Sequence, residues 1–255
     1  MDVMDDEEFS AKEFVKGERE RRIFAKVFDK STLDTLHRLS TKGIFDVIEF
    51  VVSTGKEAHV FRAIDKGGNY RAIKIYKMET SDFKNMEKYI RGDLRFKHIG
   101  KGKRNLVYEW TKKEFKNLQL ARDAGVRVPL PYGFLNNVLV MEFIGEGGNA
   151  SKTLKETRLS EKDKENAYSK IVEWAARLYR RGLVHADLSE FNILSAEDGL
   201  VLIDIGQAVL VSHPNAREFF ERDVGNVARY FSKLGLKKGY EEVYADIKKA
   251  AKRKK

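Results

Sequence analysis

The chain has 255 residues, 42% of them apolar, and its 49 Lys and Arg against 39 Asp and Glu give a formal net charge of +10. This length and apolar content suffice for a sizeable buried core, arranged as one bilobal unit or as two small domains. No run of about eighteen apolar residues occurs and the N-terminus is acidic, so we expect no membrane span, no secretory signal and a soluble cytoplasmic protein. Because the chain has no Cys, disulfides and thiolate zinc sites are excluded.

The first 43 residues are predicted to form a helical extension. Residues 1–17 are acidic and have few apolar anchors, so we expect them to be mobile. Between Arg21 and Leu39 apolar residues recur at helical spacing, which predicts two short helices broken near residues 29–31. We expect Ser31 or Thr32 to cap the second helix.

Residues 44–76 predict three antiparallel strands, with a hairpin turn at Gly67-Gly68-Asn69. The turn between the first two strands has small residues at three positions and then a Val: Ser53, Gly55, Ala58 and Val60. Small side chains let backbone N–H groups approach a phosphate. We therefore expect this turn to cover phosphates, with Lys56 beside them.

Lys74 lies among apolar neighbours in the alternating strand Arg71-Ala72-Ile73-Lys74-Ile75-Tyr76. A cation fixed on a rigid strand suits the α- and β-phosphates of a nucleotide, provided that a Glu from a helix orients it. Glu114 is our candidate for that Glu, because Phe115 and Leu118 recur beside it at helical spacing. Glu109 is the next candidate.

Two segments concentrate positive charge. Residues 95–104 contain five positive charges and no acid, and residues 248–255 contain six. We expect the first segment to be a mobile loop that orders against RNA or a ribosomal partner, with Tyr89, Phe96 and Tyr108 as stacking faces for RNA. The second is either another RNA contact or a solvated helix end.

The middle of the chain predicts further regular structure. Residues 138–144 belong to two more strands, and Gly145-Glu146-Gly147-Gly148 marks a linker. Residues 165–181 predict an amphipathic helix whose apolar face contains Ile171, Trp174, Ala175 and Leu178.

The most informative stretch is His185-Ala186-Asp187-Leu188-Ser189-Glu190-Phe191-Asn192, followed by Asp204-Ile205-Gly206. Two Asp and an Asn on adjacent turns suit Mg²⁺, a hard ion that takes few carboxylates plus phosphate oxygens. Protein kinases have this spacing, H-x-D-L-x-x-x-N and then D-x-G. By that pattern Asp187 takes or orients the attacking proton, while Asn192 and Asp204 hold Mg²⁺, with Mn²⁺ as an alternative ion.

The segments S-T-G-K-E-A, A-I-K-I-Y, H-A-D-L-S-E-F-N and D-I-G-Q-A, in this order, resemble the RIO family of atypical serine/threonine kinases. The resemblance is to the first subfamily, in its archaeal form, and covers about residues 44–235. It implies an α+β, bilobal protein-kinase-like fold. The N-lobe, residues 44–144, has an antiparallel sheet plus a helix and an insertion near 79–109; the C-lobe, residues 145–255, is reduced and mainly helical.

The resemblance also implies a function and an adenine pocket. The cofactors would be ATP and Mg²⁺, and the activities autophosphorylation and ATP hydrolysis during maturation of the small ribosomal subunit. The precursor of that subunit, or its RNA, would contact the basic loop and tail. The pocket between the lobes would have Val60, Ala72 and Met141 as roof and back, Leu194 and Ile203 as floor, and backbone contacts from Glu142 and Ile144.

One position departs from the kinase pattern. Ser189 stands where serine/threonine kinases have a Lys that neutralises the transferring phosphate. Either Lys56 compensates, or transfer to an external hydroxyl is slower by about a hundredfold. Three functions remain open: an atypical serine kinase, an ATPase whose nucleotide state switches its grip on a pre-ribosomal particle, and, last, an aminoglycoside-type phosphotransferase.

Overall fold

A computed structural model describes Phe24 and residues 28–79, 83–96, 100 and 102–252. These residues divide into two compact units. The first unit comprises the described residues up to 85 and those within 99–115 and 130–143. The second comprises the described residues within 86–98, 116–129 and 144–252. The predicted mobile segment 1–17 lies outside the described residues, as does nearly all of the first predicted N-terminal helix.

The first unit begins with helix α1, Lys30–Thr41. Asp29 caps the helix, because its carboxylate accepts a hydrogen bond from the Thr32 amide at 2.9 Å. The expectation that Ser31 or Thr32 would be the cap was therefore wrong. Aspartate is as good a capping residue as serine, and here it starts the helix one residue before Ser31.

A five-stranded antiparallel sheet forms the body of the first unit. Its strands are β1 (Val47–Thr54), β2 (Ala58–Ile64), β3 (Tyr70–Tyr76), β4 (Pro131–Leu135) and β5 (Val138–Glu142), in the order β1-β2-β3-β5-β4. Alternate residues of the central strands pack against the apolar face of α1. This core contains Leu33, Leu36, Leu39, Ile48, Phe61, Ile73, Ile75, Val138 and Val140. Since side chains alternate along a strand, the opposite face of β3 is left to carry Lys74.

Three elements lie between β3 and β4. They are helix α2 (Phe83–Ile90), a 3₁₀ turn (Leu94–Phe96) and the long helix α3 (Lys103–Asp123). Helix α2 and the turn fall within the predicted insertion. Helix α3 contributes residues to both units, with Glu114 in the first and Asn117 in the second.

The second unit is mainly helical. Its helices are α4 (Glu161–Arg180), α5 (Ala216–Lys233) and α6 (Tyr240–Lys252). As predicted, Ile171, Trp174, Ala175 and Leu178 of α4 are buried. The short strands are β6 (Gly145–Glu146) with β7 (Asn149–Ala150), then β8 (Lys152–Thr153), β9 (Leu183–Val184), β10 (Ile193–Ala196), β11 (Gly199–Leu202) and β12 (Val209–Leu210).

Short strands bring the loops of the second unit into place. Strand β10 pairs with β11 and β8, and β9 pairs with β12, so the segment 185–192 is anchored by strands at both ends. Within the described ranges, no helix combines the length and apolar character that crossing a bilayer would require.

Candidate active site

Lys74 and Glu114 are brought together in the first unit. Lys74 Nζ donates to Glu114 Oε1 at 2.9 Å, and both residues are buried. Lys74 is held rigidly because β3 pairs with β2 on one side and β5 on the other. Glu109, the other candidate, instead pairs with Lys112 along the same helix at 3.1 Å.

Tyr76 is a second donor to Glu114, and its role was not predicted from the sequence. Its buried hydroxyl donates to Glu114 Oε2. Two residues along a strand return to the same face, so Tyr76 and Lys74 point the same way, and Lys74 Nζ lies 5.1 Å from the centre of the Tyr76 ring. Each oxygen of the Glu114 carboxylate therefore has its own donor. The signal was present in the sequence: a phenol two residues after the Lys in a strand.

The predicted phosphate-covering turn joins β1 and β2. The Gly55 amide donates to the Ala58 carbonyl at 2.9 Å, which closes the turn. Ser53, Gly55 and Lys56 are exposed, whereas Ala58 is buried. Lys77 Nζ donates to the Gly55 carbonyl at 2.7 Å and steadies the tip. Ser53 and Gly55 thus present little or no side chain, which leaves room for a phosphate to approach the turn beside Lys56.

The predicted adenine residues fall in both units. Val60, Ala72, Met141 and Glu142 lie in the first unit, on β2, β3 and β5, while Ile144, Leu194 and Ile203 lie in the second. Within the first unit Ala72 pairs with Met141 across the sheet. The amide of Glu142 donates to the Leu130 carbonyl at 2.8 Å, so that N–H is already used within the protein.

Asp187 and Asn192 are brought together in the second unit. The Asn192 side-chain amide donates to the Asp187 carbonyl at 2.9 Å and to Asp187 Oδ2 at 3.0 Å. Gln207 Nε2 adds a weaker contact to the same oxygen at 3.3 Å. Burial, and next the Asp204 carboxylate, raise the pKa of Asp187, although the Asn192 hydrogen bond opposes this. Asp204 is therefore close enough for its charge to act on Asp187.

Asp204 begins a 3₁₀ turn, Ile205–Gln207, with φ of +54°. Ala186, just before Asp187, has φ of +67°. A residue other than Gly in this left-handed region costs on the order of 1–3 kcal/mol, and it persists only where the surroundings enforce it. The backbone is strained on both loops that bear the predicted chemistry.

Asp223, on α5, holds the loop around Asp187. Its Oδ2 accepts from the Ala186 amide and its Oδ1 from the Leu188 amide, each at 2.8 Å. Complete burial raises the pKa of Asp223 to about 7, although both amides and Arg222 favour its anion. No local pattern predicts this role, because Asp223 lies 35 residues beyond Leu188 in an ordinary amphipathic helix.

The basic segment 95–104 differs from its prediction. Arg95 pairs with the buried Asp93 at 2.6 Å, and Tyr89 and Phe96 are themselves buried, so the assignment of these two rings as stacking faces for RNA was wrong. Arg104 bonds to Asp29 at 3.1 Å. Residues 97–99 and Lys101 lie outside the described residues. Charge counting failed here because it ignores partners such as Asp93, which lies only two residues before Arg95.

The donor set fits Mg²⁺ better than a metal that needs several protein ligands. Among the described residues, no group of three or more His, Asp or Glu is placed to hold a metal ion. Mg²⁺ is usually bound by one or two protein carboxylates, with waters and phosphate oxygens completing its shell. Asn192 turns its amide nitrogen towards Asp187, which leaves Oδ1 as its metal-binding atom. Asp204 supplies the carboxylate.

Comparison with protein families identifies a RIO domain at residues 59–244. The RIO-type serine/threonine-protein kinase Rio1 of Haloferax volcanii is 44% identical over 218 residues, covering 86% of this chain and 74% of that protein. Rio1 of Methanocaldococcus jannaschii is 40% identical over 87% of this chain and 75% of its own length. The human serine/threonine-protein kinase RIO1 is 39% identical over 85% of this chain, but the match spans only 39% of the human protein.

Among solved structures, this chain is similar to the Rio2 kinase from Chaetomium thermophilum in its complex with ADP, Mg²⁺ and phosphoaspartate. The TM-score is 0.64 at 19% identity, over 90% of this chain and 68% of the other. This likeness confirms the predicted protein-kinase-like α+β fold.

Proposed function

The chain belongs to the RIO family and is a phosphotransferase, and we propose that it uses Mg²⁺ and ATP to phosphorylate serine or threonine hydroxyls, its own among them. The observation that supports this most is the arrangement around Asp187. One oxygen of its carboxylate is held by Asn192 and Gln207. The other oxygen is left to accept the proton of an attacking hydroxyl.

Asp187 suits the role of proton acceptor on two grounds. Its loop is fixed by Asp223 through two buried hydrogen bonds, so the carboxylate is positioned before a substrate arrives. Burial and Asp204 raise its pKa, which makes the carboxylate a stronger base than an exposed Asp. Loss of the hydroxyl proton to Asp187 would accompany attack on the γ-phosphorus, and the bond from that phosphorus to the β-phosphate oxygen would break to release ADP.

The remaining residues would hold the nucleotide. Lys74, oriented by Glu114, neutralises charge on the α- and β-phosphates, and the exposed backbone around Gly55 covers them. Asn192 and Asp204 would hold Mg²⁺, which supplies charge neutralisation at the phosphates when bound. Lys56 on the same turn is the candidate to replace the Lys that other kinases have at the position of Ser189.

A second candidate function is ATP hydrolysis as a switch. Two observations favour it. Ser189 stands in place of a Lys that assists transfer to an external hydroxyl. The Rio2 kinase structure is a complex with ADP, Mg²⁺ and phosphoaspartate. An Asp that accepts the phosphoryl group and then loses it to water would give net hydrolysis. A small-molecule phosphotransferase is the weakest candidate, since no feature beyond the shared H-x-D-x-x-x-x-N pattern favours it.

We place this activity in the cytoplasm, on the precursor of the small ribosomal subunit or its RNA. Support comes from the charge of +10 and from exposed Lys249 and Lys252 near the end of α6. Lys248 is less available, because its ammonium lies 4.6 Å from the Tyr179 ring centre. Replacing Lys249 and Lys252 with Gln should reduce the slope of log affinity for RNA against log salt concentration by about two units. An unchanged slope would show that the tail does not contact the RNA.

The test of the proposed function uses γ-labelled ATP and Mg²⁺, with and without small-subunit particles. Free phosphate is separated from labelled protein, and the label is then treated with hydroxylamine, which cleaves an aspartyl phosphate but spares phosphoserine. Stable label on Ser or Thr supports the kinase. Hydrolysis stimulated by particles, with only hydroxylamine-sensitive label, supports the switch. Neither label nor free phosphate would contradict both.

A further inference from the structure

The segment between β3 and α3 has a role that the kinase motifs do not explain. Residues 86–96, most of helix α2 and the 3₁₀ turn, belong to the same compact unit as Asp187 and Asp204. Two separate chains of hydrogen bonds lead from this segment to the two loops that bear those residues. One starts at Tyr89 and the other at Arg95.

The first chain leads from Tyr89 to the loop of Asp187. The buried Tyr89 packs its ring on Phe219, with 5.0 Å between ring centres, and its hydroxyl accepts from Arg222 Nη2 at 3.0 Å. Arg222 Nη2 also donates to the Ala186 carbonyl. Tyr89 thereby fixes the direction of the guanidinium that binds this carbonyl.

The Ala186 carbonyl belongs to the peptide group that includes the Asp187 amide. The Ala186 amide donates to Asp223 Oδ2 at 2.8 Å. Ala186 has a φ of +67°, a conformation that an Ala adopts only where its surroundings enforce it. Asp223 holds Ala186 on its amide side, and Arg222 holds it on its carbonyl side. Releasing the carbonyl would let the peptide rotate and would move the Asp187 side chain with it.

The second chain leads from Arg95 to the turn of Asp204. Arg95 is fixed by a two-pronged ion pair, Nε to Asp93 Oδ1 at 2.9 Å and Nη2 to Asp93 Oδ2 at 2.6 Å. Its remaining Nη1 donates to Asn117 Oδ1 at 2.8 Å. The fully buried Asn117 then donates from Nδ2 to the Ile205 and Ala208 carbonyls, both at 2.9 Å.

Arg95 determines which way the Asn117 amide faces. Because the guanidinium can only donate, it requires the oxygen of Asn117 and so directs the NH₂ group at the two carbonyls. These carbonyls bracket the 3₁₀ turn that Asp204 begins. Without Arg95, the amide would lose the partner that sets its orientation.

From these two chains we infer that Tyr89 and Arg95 are positioning residues, through which the insertion holds the loops of Asp187 and Asp204 in their working conformation. The inference rests on the proposed phosphotransfer for its kinetic effect, but not for its structural one. Neither residue is expected to touch substrate. A partner that displaced this segment would act on both loops at once.

The test compares Tyr89→Phe and Arg95→Lys with a matched control. Phe keeps the ring contact with Phe219 and removes only the hydroxyl, and Lys keeps the charge but cannot form the two-pronged pair. The control is Arg91→Lys on the same segment, since Arg91 is exposed and its ion pair with Glu87 lies at the surface. The full-length chain is used throughout.

Two readouts are needed. In Mg²⁺-dependent turnover of ATP, kcat should fall about tenfold in each test variant, while KM for ATP changes by less than about twofold. The reason is that these residues act on the loops rather than on the nucleotide. In hydrogen exchange, peptides covering 185–192 should exchange about tenfold faster in Tyr89→Phe, and those covering 203–208 in Arg95→Lys. Helix α4 should be unaffected in both, and Arg91→Lys should match wild type.

Several outcomes separate the alternatives. Unchanged exchange in both loops, or faster exchange throughout the unit, would overturn the inference and leave the segment an ordinary packed insertion. Tyr89→Phe should add nothing in an Arg222→Gln background, and an additive loss would also overturn it. If wild type performs no phosphotransfer, the proposed function fails, and hydrogen exchange alone decides the inference.

Discussion

The hydroxyl of Tyr76 offers a sharp test of how the Lys74–Glu114 pair is maintained. Tyr76→Phe removes the donor to Glu114 Oε2 and little else, because the ring stays in its buried position. A hydrogen bond to a charged group contributes about 1.5–3 kcal/mol. If about half of this is felt in the transition state, turnover should fall about threefold to tenfold, since each 1.36 kcal/mol corresponds to about a factor of ten in rate.

The matched control for this variant is Tyr230→Phe. The Tyr230 hydroxyl donates to the Leu154 carbonyl at 3.1 Å and is also buried, but it lies in the other unit and has a neutral partner. Tyr230→Phe should cost about 1 kcal/mol of unfolding free energy in urea and leave kcat unchanged. When Glu114 is already replaced by Gln, adding Tyr76→Phe should have little further effect on turnover.

Two results would refute the reasoning about Tyr76. Wild-type turnover in a folded Tyr76→Phe variant would show that Lys74 alone holds Glu114 in place. An equal loss of turnover with and without Glu114 would show that Tyr76 acts through some other group.

Two further predictions concern charged pairs. Lys74→Met and Glu114→Gln should each slow turnover of labelled ATP, and the double variant should be little worse than either one; additive losses would separate the two residues functionally. The second prediction is a pH effect: hydrogen bonds from Tyr168 and Lys238 lower the pKa of Asp246 below its ordinary value of 3.8. The resulting stabilisation is present above that value and is lost as the pH falls through the lowered one. Because Asp246 and Lys238 are partly exposed, the difference should be small: on going from pH 7 to pH 3 in urea unfolding, wild type should lose more stability than Asp246→Asn, by up to about 1 kcal/mol. Equal losses would contradict the assignment.

The candidate catalytic motifs could be predicted from the sequence because each lies within a few residues. The spacing of Asp187, Asn192 and Asp204 identified the loops, and the isolated Lys74 identified its strand. The kinase-like fold was implied by the family resemblance that these motifs carry. The choice of Glu114 over Glu109 depended on apolar spacing along one helix.

The supporting residues were not readable, because their partners are distant in sequence. Asp223 bonds to amides 35 and 37 residues earlier, and Asn117 bonds to carbonyls 88 and 91 residues later. No local pattern distinguishes such residues from any other polar group in a helix. Arg95 was misread for a different reason: its partner Asp93 is only two residues away, but a count of positive charges does not show that an Arg is already paired with a buried Asp.

The most direct test of phosphotransfer at this site is the Mg²⁺-dependent turnover of Asp204→Asn. Asn is preferred to Ala because it tolerates the φ of +54° at this position and so keeps the fold, while it replaces the carboxylate assigned to Mg²⁺ with a neutral amide. With folding checked by urea titration, turnover of γ-labelled ATP should fall by about a hundredfold or more at every Mg²⁺ concentration. Wild-type turnover with an unchanged Mg²⁺ dependence in the folded variant would contradict the account.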